Sequence, residues 1–193
     1  GGLMDWNPDF RRIGMEGLVL LVNGPDEARA AVRKLVKDGV EWVKTYPTGD
    51  AAAPDTNDHH TLCMNFEEMR AVVATAHNHG LKVTGHCRAT EGIKNALRAG
   101  YDAIEHGTFM DDEAIDIMKQ KGTYLVATIL AGKTVADSAK VPGYYHPLVV
   151  PKALETGPLI QNMFGKAYKL HGLDKTNDKA FERFIVLHYL SDF

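Results

Sequence analysis

The chain has 193 residues, 22 Lys plus Arg against 25 Asp plus Glu, a formal charge of −3 and 45% hydrophobic residues, an ordinary globular composition. No run reaches the roughly 18 consecutive apolar residues of a membrane-spanning helix, and the mixed charges form no basic stripe, so neither a membrane nor nucleic acid is an expected partner. Cys63 and Cys87 are too few for a disulfide framework and neither belongs to a C-x-x-C pair, which points to a reducing cytoplasm.

The sequence opens on Gly1 without the basic-then-apolar order of a signal peptide and reads as cut at its start. GLVLLV, Gly17 to Val22, is the first candidate strand. Pro25 and Asp26 then open an amphipathic helix in which Ala28, Val32, Leu35 and Val36 recur at helical spacing, with acids early, Lys37 late and Gly39 as the stop. VEWVKTY is a short β-prone run ending at Pro47, followed by a polar loop to about Thr61. Asn65 caps FEEMRAVVATAHNHG, with Glu68 as its capping-box partner and Gly80 as terminator. LKVTGHC is the next strand, TEGIKNALRAG a helix closed by Gly100, YDAIEHG a strand, DDEAIDIMKQKG a helix closed by Gly122, and TYLVATIL a further strand. From Ala131 the periodicity lapses, so residues 131–158, with Pro142, Pro147, Pro151 and Pro158, are expected to form an irregular excursion. Helices are expected near Leu159 to Leu170 and Asp178 to Leu190.

Strand and helix in strict alternation indicate parallel βαβ units, and the regular openings near Leu81, Tyr101 and Thr123 favour a barrel. A doubly wound sheet is the competitor, but no G-x-G-x-x-G follows any of these strands. A closed barrel has eight strands and about 250 residues. The predicted fold class is therefore α/β, a partial (β/α)8 TIM-type barrel holding roughly strands three or four to seven, in a single domain over 1–193.

Barrels of this kind gather their working residues where the strands end, and Lys44, His86 and His106 close three successive strands. Neutral imidazoles bind metal through one ring nitrogen while the other is oriented by an acceptor, for which Glu105 or a backbone carbonyl is available. A lysine ammonium cannot ligate, so Lys44 must be deprotonated or carbamylated to take part, and burial in an apolar strand favours its neutral form.

The order VKTYPTG, HNHGLKVTGH, ALRAGYDAIEHGT resembles the central part of the amidohydrolase superfamily, in its imidazolonepropionase- and prolidase-like branch, over roughly Gly24 to Leu130. The resemblance implies a carboxylated Lys44 bridging two zinc ions, with His86 and His106 as further metal ligands. It implies hydrolysis of amide or related carbon–nitrogen bonds in small molecules by a metal-bridged hydroxide. The family's first-strand H-x-H pair is absent, and its eighth-strand acid has no secure counterpart, since Asp192 follows a helix-like run. GGLMDW is similar to a family loop that usually reads GGHGD, with Leu3 where a histidine is common. Two residues after His86, where many relatives carry a substrate-touching aromatic, stands Arg88, suited to a substrate carboxylate.

Several other polar residues have plainer explanations. His59 and His60 lie beside Asp55 and Asp58 in a polar loop and are left out of the site. His77 and His79 suit a helix C-terminus, Cys87 faces away from His86 into the core, and Tyr144, Tyr145 and His146 pin a proline-rich loop. The resulting expectation is a fragment of a cytoplasmic metal hydrolase, incomplete by itself and associated with another copy or with the missing barrel half. Zinc is the expected metal, with manganese, cobalt or iron as alternatives. Two other readings stand beside it, a class I aldolase-like lyase with Lys44 as Schiff base and a non-catalytic half-barrel.

Overall fold

The structure is a computed structural model that describes residues 2–4, 19–51 and 59–170. Six strands form one sheet: β1 (Gly2–Met4), β2 (Val19–Leu21), β3 (Trp42–Thr45), β4 (Lys82–Cys87), β5 (Ala103–His106) and β6 (Tyr124–Val126). The helices are α1 (Pro25–Lys37), α2 (Phe66–Asn78), α3 (Thr90–Ala99), α4 (Asp112–Lys121), α5 (Ile129–Ala139) and α6 (Val150–Leu170). Every strand pair is parallel, in the order β2-β1-β3-β4-β5-β6, which is the expected part of a barrel wall. Gly2–Met4 is a strand where the sequence reading has a loop, and it completes that wall between β2 and β3.

Alternation along the strands separates two faces. Val43, Val83, Cys87, Ile104 and Leu125 point to the helix side, where Val32, Leu35, Met69, Val72, Ile93, Leu97, Ile115 and Met118 close the core. Trp42, Lys44, Lys82, Thr84, His86, Glu105 and Tyr124 stand on the other face. There Leu21, Trp42 and Tyr124 are exposed, with the Lys82 ammonium 5.5 Å and 5.7 Å from the centroids of the Trp42 and Tyr124 rings. Among the described residues, nothing covers that end of the face.

Local signals fix the helix starts. Asn65 Oδ1 accepts from the Glu68 N–H at 2.9 Å, and Glu68 Oε2 accepts from the Asn65 N–H at 2.8 Å. Glu68 is buried, and its second oxygen accepts from the Gly24 N–H at 2.7 Å, so one carboxylate joins the starts of α1 and α2.

The segment 131–158 departs from the expected irregular excursion. Ile129–Ala139 is helical, and α6 already begins at Val150, so only residues 140–149 are irregular. Pro151 falls in the first turn of α6, where its missing N–H costs nothing, and Pro158 is carried inside the helix. What holds the pair is tertiary: a Cβ on Gly157 would lie 2.5 Å from the Ala136 Cβ and 2.9 Å from the Gly132 carbonyl oxygen. The two backbones approach so closely only because these positions lack side chains. Farther along α6, Met163 and Ala167 enter the main core beside Gly107, Met110 and Leu125. The expected Asp178–Leu190 helix and Asp192 lie outside the described residues.

Candidate active site

Lys44, His86 and His106 come together at the C-terminal ends of β3, β4 and β5, as expected. His86 Nδ1 and His106 Nε2 are 2.9 Å apart, and one imidazole N–H is shared between them. Register alone does not predict this contact. His106 pairs across the sheet with Cys87, which faces the helices, whereas His86 pairs with Glu105. The left-handed backbone of His106, φ 67°, breaks the alternation and turns its ring onto the His86 face. Thr128, also left-handed at φ 48°, places its Oγ1 2.7 Å from His106 Nδ1. The group at His106 Nδ1 is thus a hydroxyl from the start of α5, neither Glu105 nor a backbone carbonyl, the two acceptors the sequence offers.

Glu105 serves Lys44 instead. Its Oε2 pairs with the Lys44 ammonium, and its Oε1 accepts from Thr84 Oγ1 at 2.9 Å. The lysine is therefore partly buried against a carboxylate rather than desolvated among apolar neighbours, which corrects that expectation. The Tyr46 ring lies 5.3 Å from Lys44 Nζ and 5.7 Å from the His86 ring, forming a wall beside both.

Burial is the main cause that lowers the His86 pKa, to about 3; Asp50 and the Gly49 backbone oppose the shift, and Arg88 and Lys44 add to it. His106 is held well below its ordinary value by burial, then by His86, Arg88 and Lys44. Both rings are therefore neutral at physiological pH, the form in which imidazole ligates. His86 Nε2 is buried and has no hydrogen-bond partner among the described residues. Two neutral imidazoles, one with an unsatisfied nitrogen, fit a divalent metal by donor type, and Lys44, an ammonium against Glu105, can join them only once deprotonated or carbamylated.

Arg88, just past β4, is buried and reaches over the same end of the sheet. Its backbone N–H donates to Thr48 Oγ1 at 2.9 Å, one guanidinium nitrogen donates to Thr108 Oγ1 at 3.2 Å, and another lies 3.2 Å from Asp50 Oδ1. Its Nε is buried without a hydrogen-bond partner among the described residues.

The sequence reading missed Thr128, Tyr46 and Asp50. A threonine ahead of a helix is a cap signal, but in this case its hydroxyl turns to the histidine. His59 and His60, in a loop expected to be solvated, depart from that expectation: His59 is buried and the pair meets Glu155 of α6.

Comparison with known proteins identifies the family and the fold. A sequence profile described as the amidohydrolase family matches residues 4–154. The ochratoxinase of Aspergillus niger is 30% identical over 127 residues, 66% of this chain and 26% of that protein. A solved Xaa-Pro dipeptidase with methionine bound in its active site is 44% identical, with a TM-score of 0.74 over 77% of this chain and 36% of the dipeptidase. The crystal structure of A. niger ochratoxinase, 22% identical, shares the fold with a TM-score of 0.76 over 88% of this chain and 42% of its own. The chain thus spans less than half of the length of each of these relatives. By the extent of the family match and the parallel barrel wall, this chain belongs to the amidohydrolase family and forms part of its fold.

Proposed function

We propose that the chain carries part of the metal centre of a hydrolase that cleaves amide-type bonds in small molecules bearing a carboxylate. The observation that carries this reading is the buried, neutral His86–His106 pair with an open ring nitrogen beside Lys44. His86, His106 and Lys44 hold the metal, zinc as first choice and two ions as the family resemblance implies. When bound, the metal supplies Lewis acidity that polarises the scissile carbonyl and acidifies the attacking water.

The chain's own residues set the conditions for that chemistry. Burial keeps both imidazoles unprotonated, so no proton has to leave before they ligate. Thr128 fixes the ring orientation of His106 through Nδ1. Lys44 is proposed to ligate as a carbamate: its ammonium first gives a proton to the adjacent Glu105 or to solvent, the neutral amine then attacks carbon dioxide, an N–C bond forms as one C–O π bond opens, and the second proton leaves to solvent. Arg88 is proposed to bind the substrate carboxylate through its unsatisfied Nε–H, with Thr108 and Asp50 holding the guanidinium plane. A Xaa-Pro dipeptide has that chemistry, an amide bond with a carboxylate one residue away. The uncovered sheet face is proposed to be closed by a second copy or by the remaining barrel strands. Cytoplasmic placement is proposed from cysteine usage, with Cys87 a buried thiol and no disulfide formed.

The test is zinc content by elemental mass spectrometry after purification with zinc and bicarbonate, comparing the chain with its His86→Ala/His106→Ala variant. Zinc lost with the pair supports the reading, and equal zinc in both refutes it. Labelled bicarbonate giving a carbamate signal that disappears in Lys44→Met supports the lysine's role. Lys44 trapped by borohydride with a carbonyl substrate argues for the Schiff-base lyase instead. Arg88→Gln is expected to weaken binding of a Xaa-Pro dipeptide about tenfold while leaving its C-terminal amide unaffected. An equal loss for both ligands overturns the carboxylate role.

A further inference from the structure

A second group of ligand atoms shares no residue with the His86–His106 pair. His59 and His60, on the limb of the β3–α2 loop that returns to α2, meet Glu155 of α6, and one donor atom from each lies within 4.8 Å of the others. We infer that these three residues form a divalent-metal site of the zinc type, which ties α6 to the β3–α2 loop.

Three observations carry this inference. The first is spacing. His59 Nε2 lies 3.4 Å from Glu155 Oε2, and zinc bonds of about 2.0–2.1 Å place tetrahedral ligands about 3.3 Å from one another. One edge of the polyhedron is therefore already at length. The donor atoms of His60 and Glu155 already lie within 4.8 Å of the others, so small rotations of two exposed side chains close the remaining distance.

The second is preorganisation. His59 is only 2% exposed, and its ring packs edge-on against His60 with centroids 4.5 Å apart. Phe109 lies against both rings, at 4.9 Å and 4.3 Å. Behind them the loop limb is pinned to the loop's own base, where the Gly49 N–H donates to the Thr61 carbonyl at 2.9 Å and the Cys63 N–H to the Pro47 carbonyl at 2.8 Å. Two histidines held on one apolar wall lose little freedom on ligation.

The third is donor chemistry. Two imidazoles and one carboxylate suit zinc better than the hard cations calcium or magnesium, which prefer all-oxygen shells. The fourth position is left to water. The ligands come from segments far apart in sequence, so the ion staples α6, which follows the irregular 140–149 segment, onto the loop over the C-terminal ends of the strands. The site shares no residue with the proposed hydrolase centre.

The test uses the full chain, zinc, and two pairs of substitutions, with affinities read by chelator competition. His60→Ala/Glu155→Gln, both at exposed positions, is expected to lose about one equivalent of zinc. Zinc lost with His86→Ala/His106→Ala belongs to the other centre and is expected to be additive with this loss. Cobalt(II) in the His86→Ala/His106→Ala variant is expected to give the intense visible absorption of a tetrahedral N/O site, abolished when His60→Ala/Glu155→Gln is added. Zinc is further expected to raise the thermal midpoint of the chain, and that rise should shrink in His60→Ala/Glu155→Gln. Should His60→Ala/Glu155→Gln bind as much zinc as the unaltered chain, with affinity unchanged within about twofold, the inference is overturned, whatever becomes of His86 and His106.

Discussion

Gly92, in the first turn of α3, offers a sharp test of how the β4–α3 junction is packed. In an ordinary helix, Gly→Ala stabilises by roughly 0.5–1 kcal/mol. At Gly92 the new Cβ would lie 2.2 Å from Thr48 Cγ2, and no backbone rotation of a regular helix relieves it. Thr48 cannot swing away freely, because its hydroxyl accepts the Arg88 N–H at 2.9 Å in a buried position. Overpacking costs about 1–3 kcal/mol, so Gly92→Ala should be net destabilising by about 1–2 kcal/mol once the helix gain is subtracted. Thr48→Ser removes the offending methyl but keeps the hydroxyl, and alone should cost about 1 kcal/mol for one buried methyl. With Cγ2 gone, the nearest remaining atoms are Leu62 Cδ2 at 3.3 Å and the Thr48 Cβ at 3.7 Å, distances a small shift accommodates. The double variant should therefore recover to near the parent stability, leaving a coupling energy of about 1–3 kcal/mol. Urea unfolding of the four proteins gives the cycle directly. Additive losses would refute the reasoning, as would a stabilised Gly92→Ala.

Other consequences can be checked as readily. Asp111 caps α4 by accepting the Ala114 N–H at 2.9 Å and also meets the Lys94 ammonium at 2.8 Å. Burial opposes its ionisation, but the Lys94 ammonium and the cap hydrogen bond outweigh it and hold the carboxyl below its ordinary value. Its contribution is therefore complete above the ordinary carboxylate pKa and is lost as pH falls below it. Asp111→Ala should cost about 1 kcal/mol at pH 7, and the gap between Asp111 and Asp111→Asn should narrow in urea titrations as pH falls below the ordinary carboxylate range. Thr128→Val removes the hydroxyl that orients His106 and should weaken zinc about 10- to 100-fold in chelator competition, whereas Thr128→Ser should stay near the parent. Equal affinities in both would show that the hydroxyl does not orient the ring. Cys87 is fully buried, and burial pushes its thiol up to about 12, so native alkylation at pH 8 should label Cys63 and leave Cys87 unmodified until denaturant is added. Peptide mass mapping distinguishes them, and rapid Cys87 labelling would contradict the packing of β4.

Much of this fold is legible locally. The Asn65/Glu68 box, the Asp111 cap, the terminators Gly80, Gly100 and Gly122 and the alternating apolar strands each act within a few residues, so α1 to α4 and β3 to β5 follow from short-range chemistry. Lys44, His86 and His106 were legible for a related reason, since parallel barrel strands deliver their last residues to one face. Strand β1 was not, because the triplet Gly2–Met4 is too short to show a pattern of its own and exists only by pairing with β2 and β3. Helices α5 and α6 were hidden by their prolines and glycines, residues that weaken a helix alone yet permit the close approach at Gly132 and Gly157.

Sequence by itself determined the order of elements, the two-faced sheet and the three residues at or next to the ends of its central strands, because each rests on periodicity or on a neighbour in the chain. Tertiary structure alone decided how those residues meet. The left-handed turn at His106 brings its ring to His86, Thr128 rather than Glu105 orients it, and Glu105 goes to Lys44. It also brought His59 and His60 to Glu155, nearly a hundred residues apart in the chain, across a contact that no local pattern encodes. Long-range side-chain encounters depend on how whole elements pack, and that information is distributed over the core rather than written beside the residues it positions.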